Sequence, residues 1–559
     1  MIFHKQINTL SAHQTERNLS IMIKVYFPNL ELSMELPDNA TVADACASVG
    51  HPVNLVCGGN GTCGKCIATI EDAKGYREVH ACQTPISSDM KIYPPENKDD
   101  LRILSSGSGK VKLDHREHPE EHRYAAACDL GTTSVVLYLF DRVKGKLLGQ
   151  WSEANRQASL GADVIARMQN ALEEGTGPRL QEKGLETIRA LLKAAASGSG
   201  IHTTDIAALT VAGNSAMQHL LFGFPVVQLA KSPYQCYDES VIVRTTEDLD
   251  LGMAPGAKLY FLPLIGSFVG GDTTAAMLAA DWEDMEPVKL LIDLGTNGEL
   301  VIGNKDRQLA TSAAAGPAME GAGIVRGMRG TTGAIEKVWI EDGDIAIHVI
   351  GAGHGAKPEG ICGSGLVDLT AVLVEAGVID SSGRMSTKED YLAQGGNPKL
   401  AERIRTAEDG QRIFLVVSAA DTADCKDLFF YQDDIRALQL SKGAITAAAI
   451  MLQNEFDPDR NQITEILLAG AFGNYIDINS AQRIGLIPDY EGISVTPVGN
   501  AAGIGAQMYL LSESKRKAAD RLAADTKHVD LASHEDFTYI FAACMELCPV
   551  SEMDLEDFF

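Results

Sequence analysis

Four of the eleven cysteines in this 559-residue chain, Cys57, Cys63, Cys66 and Cys82, fall within 26 consecutive positions. Their spacing is Cys57-x5-Cys63-x2-Cys66-x15-Cys82. Thiolates are soft ligands that suit zinc or iron-sulfur. The loop Gly58-Gly59-Asn60-Gly61-Thr62 separates the two options. Bridging sulfides accept backbone N–H groups, and residues without Cβ let a loop wrap closely enough to donate them. Structural zinc sites usually bring two close cysteine pairs, whereas only one pair is present here. The pattern therefore favours a 2Fe-2S cluster in a reducing compartment over zinc or a disulfide scaffold. Cys46, before the loop, reads as a buried apolar cysteine. Cys544 and Cys548 are two thiols where a cluster needs four, and are expected to be structural.

A second chemistry is written twice. Asp129-Leu130-Gly131-Thr132-Thr133 and Asp293-Leu294-Gly295-Thr296-Asn297-Gly298 lie 164 positions apart, each between two apolar runs. In such a turn glycine lets backbone approach a phosphate, hydroxyls and N–H groups take its oxygens, and the aspartate can hold Mg²⁺ through water. One turn would be weak evidence, but two in matching contexts predict two related lobes across an ATP cleft. Ile466–Asn474 is an apolar run entering a glycine-rich turn, and Gly470 and Gly473 could lie flat against a purine. Gly270-Gly271-Asp272 opens a helical run, with Asp272 either a catalytic base or water-positioning group, or simply a helix cap. Two further glycine-rich stretches, 314–322 (containing Glu320) and 360–368 (containing Cys362), are expected to line the cleft, with Cys362 a packing residue.

These residues need elements to hold them. Residues 23–36 alternate around Pro28-Asn29 as a β-hairpin, Thr41 opens a helix, and strands are expected at 66–70 and 90–93. Residues 22–97 thus form a small β-rich domain, preceded by an extension (1–21) outside the fold. Residues 98–124 are charged and carry Ser-Ser-Gly-Ser-Gly, a linker composition in which His115, His118 and His122 belong to a solvated charge run. From 125 onward strands and helices alternate in an α/β layout: a first lobe at about 125–285, a second at about 286–512, and a C-terminal segment at 513–559.

With 48 basic and 75 acidic side chains the net charge is −27, against a nucleic-acid binder. No signal-like or membrane-length apolar run stands out, so a cytoplasmic protein without membrane contact is expected.

The cysteine region resembles ferredoxin-like 2Fe-2S domains, in which Ala81-Cys82-Gln83 is a familiar fourth-ligand setting. The two turns with the 466–474 segment resemble the actin-like ATPase superfamily of actin, heat-shock chaperones and sugar and acetate kinases. From about Met22 to Phe559 the chain resembles the reductive activators of corrinoid proteins, through Cys128-Asp-Leu-Gly-Thr-Thr, Val211–His219, Gly316–Ala322 and Gly360–Leu366. That resemblance implies a β-grasp ferredoxin domain followed by a two-lobed ATPase. It implies ATP-dependent, one-electron reduction of a methyltransferase's Co(II) corrinoid protein to Co(I), fed by a low-potential donor. A homodimer is expected on the same ground. Some members carry an additional domain between the two parts, whereas here only residues 98–124 intervene. Alternatives are an activator of a radical dehydratase, which the separate cysteine loop argues against, and a small-molecule kinase with an accessory cluster, motivated by Asp272.

Overall fold

The computed structural model describes residues 22–93 apart from 31, 38–39, 49–66 and 73–74, and residues 123–553 apart from 162, 174, 322, 458–461, 474 and 532–533. The described residues form two compact units, one ending before residue 97 and one holding everything from Arg123 onward.

In the first unit, β1 (Met22–Phe27) and β2 (Leu32–Pro37) form the expected hairpin, with Met22 opposite Pro37. Alternation along β1 sends Ile23, Val25 and Phe27 inward. Helix α1 (Val42–Ser48) follows, then β3 (Ile67–Asp72), β4 (Gly75–His80) and β5 (Met90–Tyr93). The sheet order is β2-β1-β5-β3-β4, with β1 and β5 parallel. β4 lacks a clean apolar alternation, which hid it from sequence reasoning. Cys46 is fully buried, and burial pushes its thiol up to about 12.

In the second unit, β6 (Tyr124–Leu130), β7 (Ser134–Asp141) and β8 (Lys146–Ala154) form an antiparallel meander. Strand β6 takes in Tyr124, one residue earlier than expected. Helices α2 (Val164–Ala171) and α3 (Thr176–Gly198) lead to β9 (Ile206–Ala212), which joins β6 in parallel. Helix α4 (Ser215–Phe222), β10 (Ile242–Thr245), β11 (Lys258–Phe261) and α5 (Gly271–Ala279) complete a sheet of order β10-β11-β9-β6-β7-β8.

The scheme then repeats. Strands β12 (Val288–Leu294), β13 (Gly298–Gly303) and β14 (Gln308–Ala313) form the second meander. A long insertion supplies β15 (Ala334–Glu341), β16 (Asp344–Val349), β17 (Gly360–Ile361), α6 (Gly363–Glu375), α7 (Lys388–Ala393), α8 (Pro398–Ala401), β18 (Ile404–Thr406), β19 (Arg412–Val417) and β20 (Leu428–Tyr431). After α9 (Gln432–Phe456), β21 (Ile463–Ala469) joins β12 in parallel. Next come α10 (Gly470–Gly473), α11 (Ile478–Arg483), β22 (Ser494–Gly499), α12 (Ala501–Leu511), α13 (Glu513–Asp525), β23 (Lys527–His528) and α14 (Phe537–Ala543). The second sheet runs β22-β21-β12-β13-β14-β23.

Each sheet has its own outer core, and a third core joins them, drawing Ala127 and Phe140 from the first sheet and Leu291 and Leu467 from the second. Helices α5 and α12 cross within it. A Cβ on Gly505 would lie 1.8 Å from the Ala275 carbonyl oxygen, so only glycine allows this backbone-to-backbone approach. α9 has the length and composition of a membrane-crossing helix, yet 83% of its most apolar window is buried within the protein. Its role in the fold is that of a core helix.

Candidate functional site

The two Asp-x-Gly-Thr turns are built by equivalent strands. Asp129 and Asp293 occupy the penultimate positions of β6 and β12, opposite Ala212 of β9 and Ala469 of β21 respectively. After each alanine comes a glycine, Gly213 or Gly470, that packs under the turn. Gly470 has φ +92°, and a Cβ there would lie 2.5 Å from the Leu294 carbonyl oxygen and 2.7 Å from an Asp293 carboxylate oxygen.

The first turn is held from several sides. The Asn155 side chain donates to the Gly131 carbonyl at 2.9 Å, and its N–H donates to the Thr133 carbonyl at 2.9 Å. Fully buried Arg167, on α2, donates to the Thr132 carbonyl at 2.7 Å and the Gly161 carbonyl at 2.9 Å. Burial lowers its pKa to about 10, an effect that Asp163 and Glu320 oppose. Asn214, the N-cap of α4, donates to the Thr132 hydroxyl at 3.2 Å. Asn500, the N-cap of α12, donates to an Asp129 carboxylate oxygen at 2.8 Å while accepting the Gly503 N–H at 2.7 Å. One asparagine thus ties a helix of the second half to the first turn.

In the second turn the Gly295 N–H donates to the Asn297 carbonyl at 3.0 Å, and Gly298 begins β13. Its chief surprise is Glu299. In the β12–β13 register Glu299 stands directly opposite Asp293. Two like charges at such a pair repel.

The turns meet. The Thr133 and Thr296 hydroxyl oxygens are 3.4 Å apart. Thr133 donates to one oxygen of Glu320 at 2.7 Å and Thr296 to the other at 2.6 Å. Glu320 closes a short 3-10 turn (Pro317–Glu320) that packs on α6 and α9.

Asp272 sits in the first turn of α5, whose N-cap position is taken by Gly270. Its carboxylate accepts the Thr273 N–H at 2.8 Å. Asp129, Asp272, Asp293 and Glu299 all retain intermediate exposure, yet the surrounding protein disfavours their charged forms. Burial pushes Asp129 up to about 6, opposed by the Asn500 hydrogen bond. Asp272 rises to about 7 through burial and the Asp129 charge, against the pull of the Thr273 N–H. Asp293 rises to about 7 through burial and then the charges of Asp272 and Asp129. Glu299 moves well above the ordinary carboxylate range through burial and the charges of Asp272 and Asp293, with Ser312 opposing. Such a cluster suits charge neutralisation by a cation or by shared protons. Among the described residues no three carboxylate, histidine or cysteine side chains form a ready-made metal cage.

The structure therefore brings Asp129, Gly131, Thr132, Thr133, Asp272, Asp293, Gly295, Thr296, Gly298 and Gly470 together where the two turns meet. Gly473 packs against Leu468. Asn155, Arg167, Glu299 and Asn500 join the site without having been singled out in the sequence. Only the Asp-x-Gly-Thr repeat offered a signal for Glu299, six residues beyond Asp293.

Of the cluster candidates, Cys57, Cys63 and Cys66 lie outside the described residues. Cys82 is buried in a 3-10 turn (Ala81–Gln83), and the Gln83 amide donates to its sulfur at 3.7 Å. Cys362 is a packing residue whose thiol donates to the Ile335 carbonyl at 3.3 Å. Cys544 is fully buried and Cys548 partly so, both unlinked.

Residues 287–557 match the family described as the C-terminal domain of RACo, the ASKHA domain, and residues 124–285 match the RACo middle region. The corrinoid activation enzyme RamQ of Eubacterium limosum is 35% identical over 92% of this chain and 97% of its own length. The [Co(II) methylated amine-specific corrinoid protein] reductase of Methanosarcina barkeri is 25% identical over 52% of this chain and 50% of its own. The solved structure of a reductive activator for corrinoid, iron-sulfur protein shares 28% identity and superposes with a TM-score of 0.69, covering 96% of this chain and 99% of that one. With an actin-like ATPase domain in its C-terminal half, this enzyme belongs to the family of reductive activators of corrinoid proteins.

Proposed function

We propose that the protein uses ATP to drive electrons one at a time onto the Co(II) corrinoid of a methyltransferase's corrinoid protein, restoring the nucleophilic Co(I) state. The observation that carries this reading is the meeting of the two Asp-x-Gly-Thr turns, with Thr133 and Thr296 hydroxyls 3.4 Å apart beside three aspartates of raised pKa. Hydroxyls and turn amides contributed by both halves can take a polyphosphate between them, so nucleotide favours one arrangement of the halves over another.

Thr132, Thr133, Thr296, Asn297 and the N–H groups of Gly131, Gly295 and Gly298 would bind the phosphates. Gly470 and Gly473 would lie at the adenosine end. The raised carboxylates of Asp129, Asp272 and Asp293 suit Mg²⁺ held through water and phosphate oxygens, since the described residues form no cage of their own. Asp272 would orient the attacking water.

Residues 22–97 would be a ferredoxin-like β-grasp domain, a reading supported by the mixed order β2-β1-β5-β3-β4 with β1 and β5 parallel. Cys57, Cys63, Cys66 and Cys82 would hold a 2Fe-2S cluster. The donor set fits at the described position, where the Cys82 sulfur already accepts a side-chain N–H. When bound, such a cluster supplies one electron at low potential. Residues 98–124 would tether it to the ATPase lobes, 125–285 and 286–512, followed by the C-terminal segment 513–559. The upstream partner would be a low-potential donor and the assembly a homodimer.

The test mixes protein, reductant, Mg-ATP and a Co(II) corrinoid protein and follows the Co(I) absorption band. Its growth should require ATP. Equal growth without ATP would sink the coupling.

A further inference from the structure

Glu320 holds two donors that belong to different halves. Its carboxylate accepts the Thr133 hydroxyl at 2.7 Å and the Thr296 hydroxyl at 2.6 Å, one on each oxygen. A phosphate oxygen entering between the turns needs the same two hydroxyls, and Glu320 is itself an anion. The carboxylate and a terminal phosphate therefore compete for one pair of donors, with electrostatic repulsion added.

The turn carrying Glu320 is connected outward. It packs on α6 and α9. Just beyond it, the Val325 N–H donates to Asp434 at 2.8 Å in the first turn of α9. Arg326 pairs with Asp424 at 3.1 Å and donates to the Glu359 carbonyl at 2.9 Å.

We propose that Glu320 is a positioning residue that reports the terminal phosphate: it latches the two turns together through Thr133 and Thr296, and nucleoside triphosphate displaces it and shifts residues 317–321 and 323–328. This rests on the reading of the cleft as an ATP site.

The experiment measures binding of a non-hydrolysable ATP analogue and of ADP, both with Mg²⁺, to the full chain and to Glu320→Gln and Glu320→Asp. Hydrogen exchange is followed over residues 323–330 in parallel. Removing the competing charge should tighten the triphosphate analogue by about tenfold in Glu320→Gln while ADP changes much less. Glu320→Asp keeps the charge but is too short to bridge both hydroxyls, and should lie between. Exchange over 323–330 should rise when the analogue binds wild type, and should already be high in Glu320→Gln without nucleotide. An equal factor for both nucleotides, weaker analogue binding, or exchange indifferent to nucleotide would overturn the latch alone. A wild-type chain that binds neither nucleotide would overturn the ATP reading and the latch together.

Discussion

The two halves of the second unit share a strand plan but treat their aspartates differently. Opposite Asp129, across β6 and β7, stands Val136, and Asn500 donates to the carboxylate. Opposite Asp293, across β12 and β13, stands Glu299. The first turn is braced by Asn155, Arg167, Asn214 and Asn500, whereas the second places like charges together. Equivalent topology thus yields one turn built to be rigid and one whose charge invites a cation. Strain at such a site is stability exchanged for activity.

The sharpest way to break this contrast is Asp293→Asn. ATP turnover should fall by about 10²–10³-fold, the scale of losing one charge-stabilising group in a reacting site. The same change should leave the nucleotide-free protein as stable or more stable, because it removes a member of a repelling cluster. A lowered melting temperature in a well-folded Asp293→Asn protein would contradict the contrast. Asp129→Asn should lower turnover on the same scale, but because the Asn500 side chain donates to the Asp129 carboxylate the change also weakens that bond, and the gain in stability should be smaller.

Arg167→Met tests the bracing. It removes a buried cation and two hydrogen bonds to the backbone of the first half, and should cost about 3 kcal/mol in denaturant unfolding of that unit. Asn500→Ala removes an N-cap together with its bond to Asp129 and should cost about 1–2 kcal/mol. Glu299→Gln should go the other way, stabilising by about 1 kcal/mol. Val136→Glu, which copies the second turn's arrangement into the first, should destabilise instead.

A further effect, on the nucleotide-free protein, is set by pH. Asp129, Asp272 and Asp293 have folded pKa values of about 6, 7 and 7, above the ordinary aspartate value of 3.8. The folded state thus binds protons more tightly than the unfolded state over that interval. Their contribution favours folding at pH below about 4 and is lost as pH rises through 6 to 7. From these three groups, the nucleotide-free protein should gain stability as pH drops from 8 to 6, and Asp293→Asn should flatten that slope. Turnover, which on the proposed reading needs the ionised carboxylates, should instead rise as pH goes from 6 to 8.

Local pattern carried some of this and not the rest. The hairpin of β1 and β2 was legible because its alternation and Pro28-Asn29 are contained in sixteen consecutive residues. The duplicated Asp-Leu-Gly-Thr turns were legible because strand, turn and strand are contiguous. Asn500 was not, since its partner lies 371 positions away and its cap role depends on where α12 is delivered. Glu299 was hidden by register: six residues from Asp293 in sequence, it becomes its direct neighbour only once β12 and β13 pair. Arg167 was not legible either, because its partner, the Thr132 carbonyl, lies 35 positions away and is met only once α2 folds against the turn.

The crossing of α5 and α12 has a mechanical consequence. Where Gly505 meets the Ala275 carbonyl there is no side-chain cushion between the helices. Packed interfaces of this kind transmit displacement as a rigid body rather than absorbing it. Under the proposed nucleotide-driven rearrangement this contact would serve as a fulcrum: a small change of angle at it is geared up with distance, so the far rims of both sheets would travel farther than the two Asp-x-Gly-Thr turns.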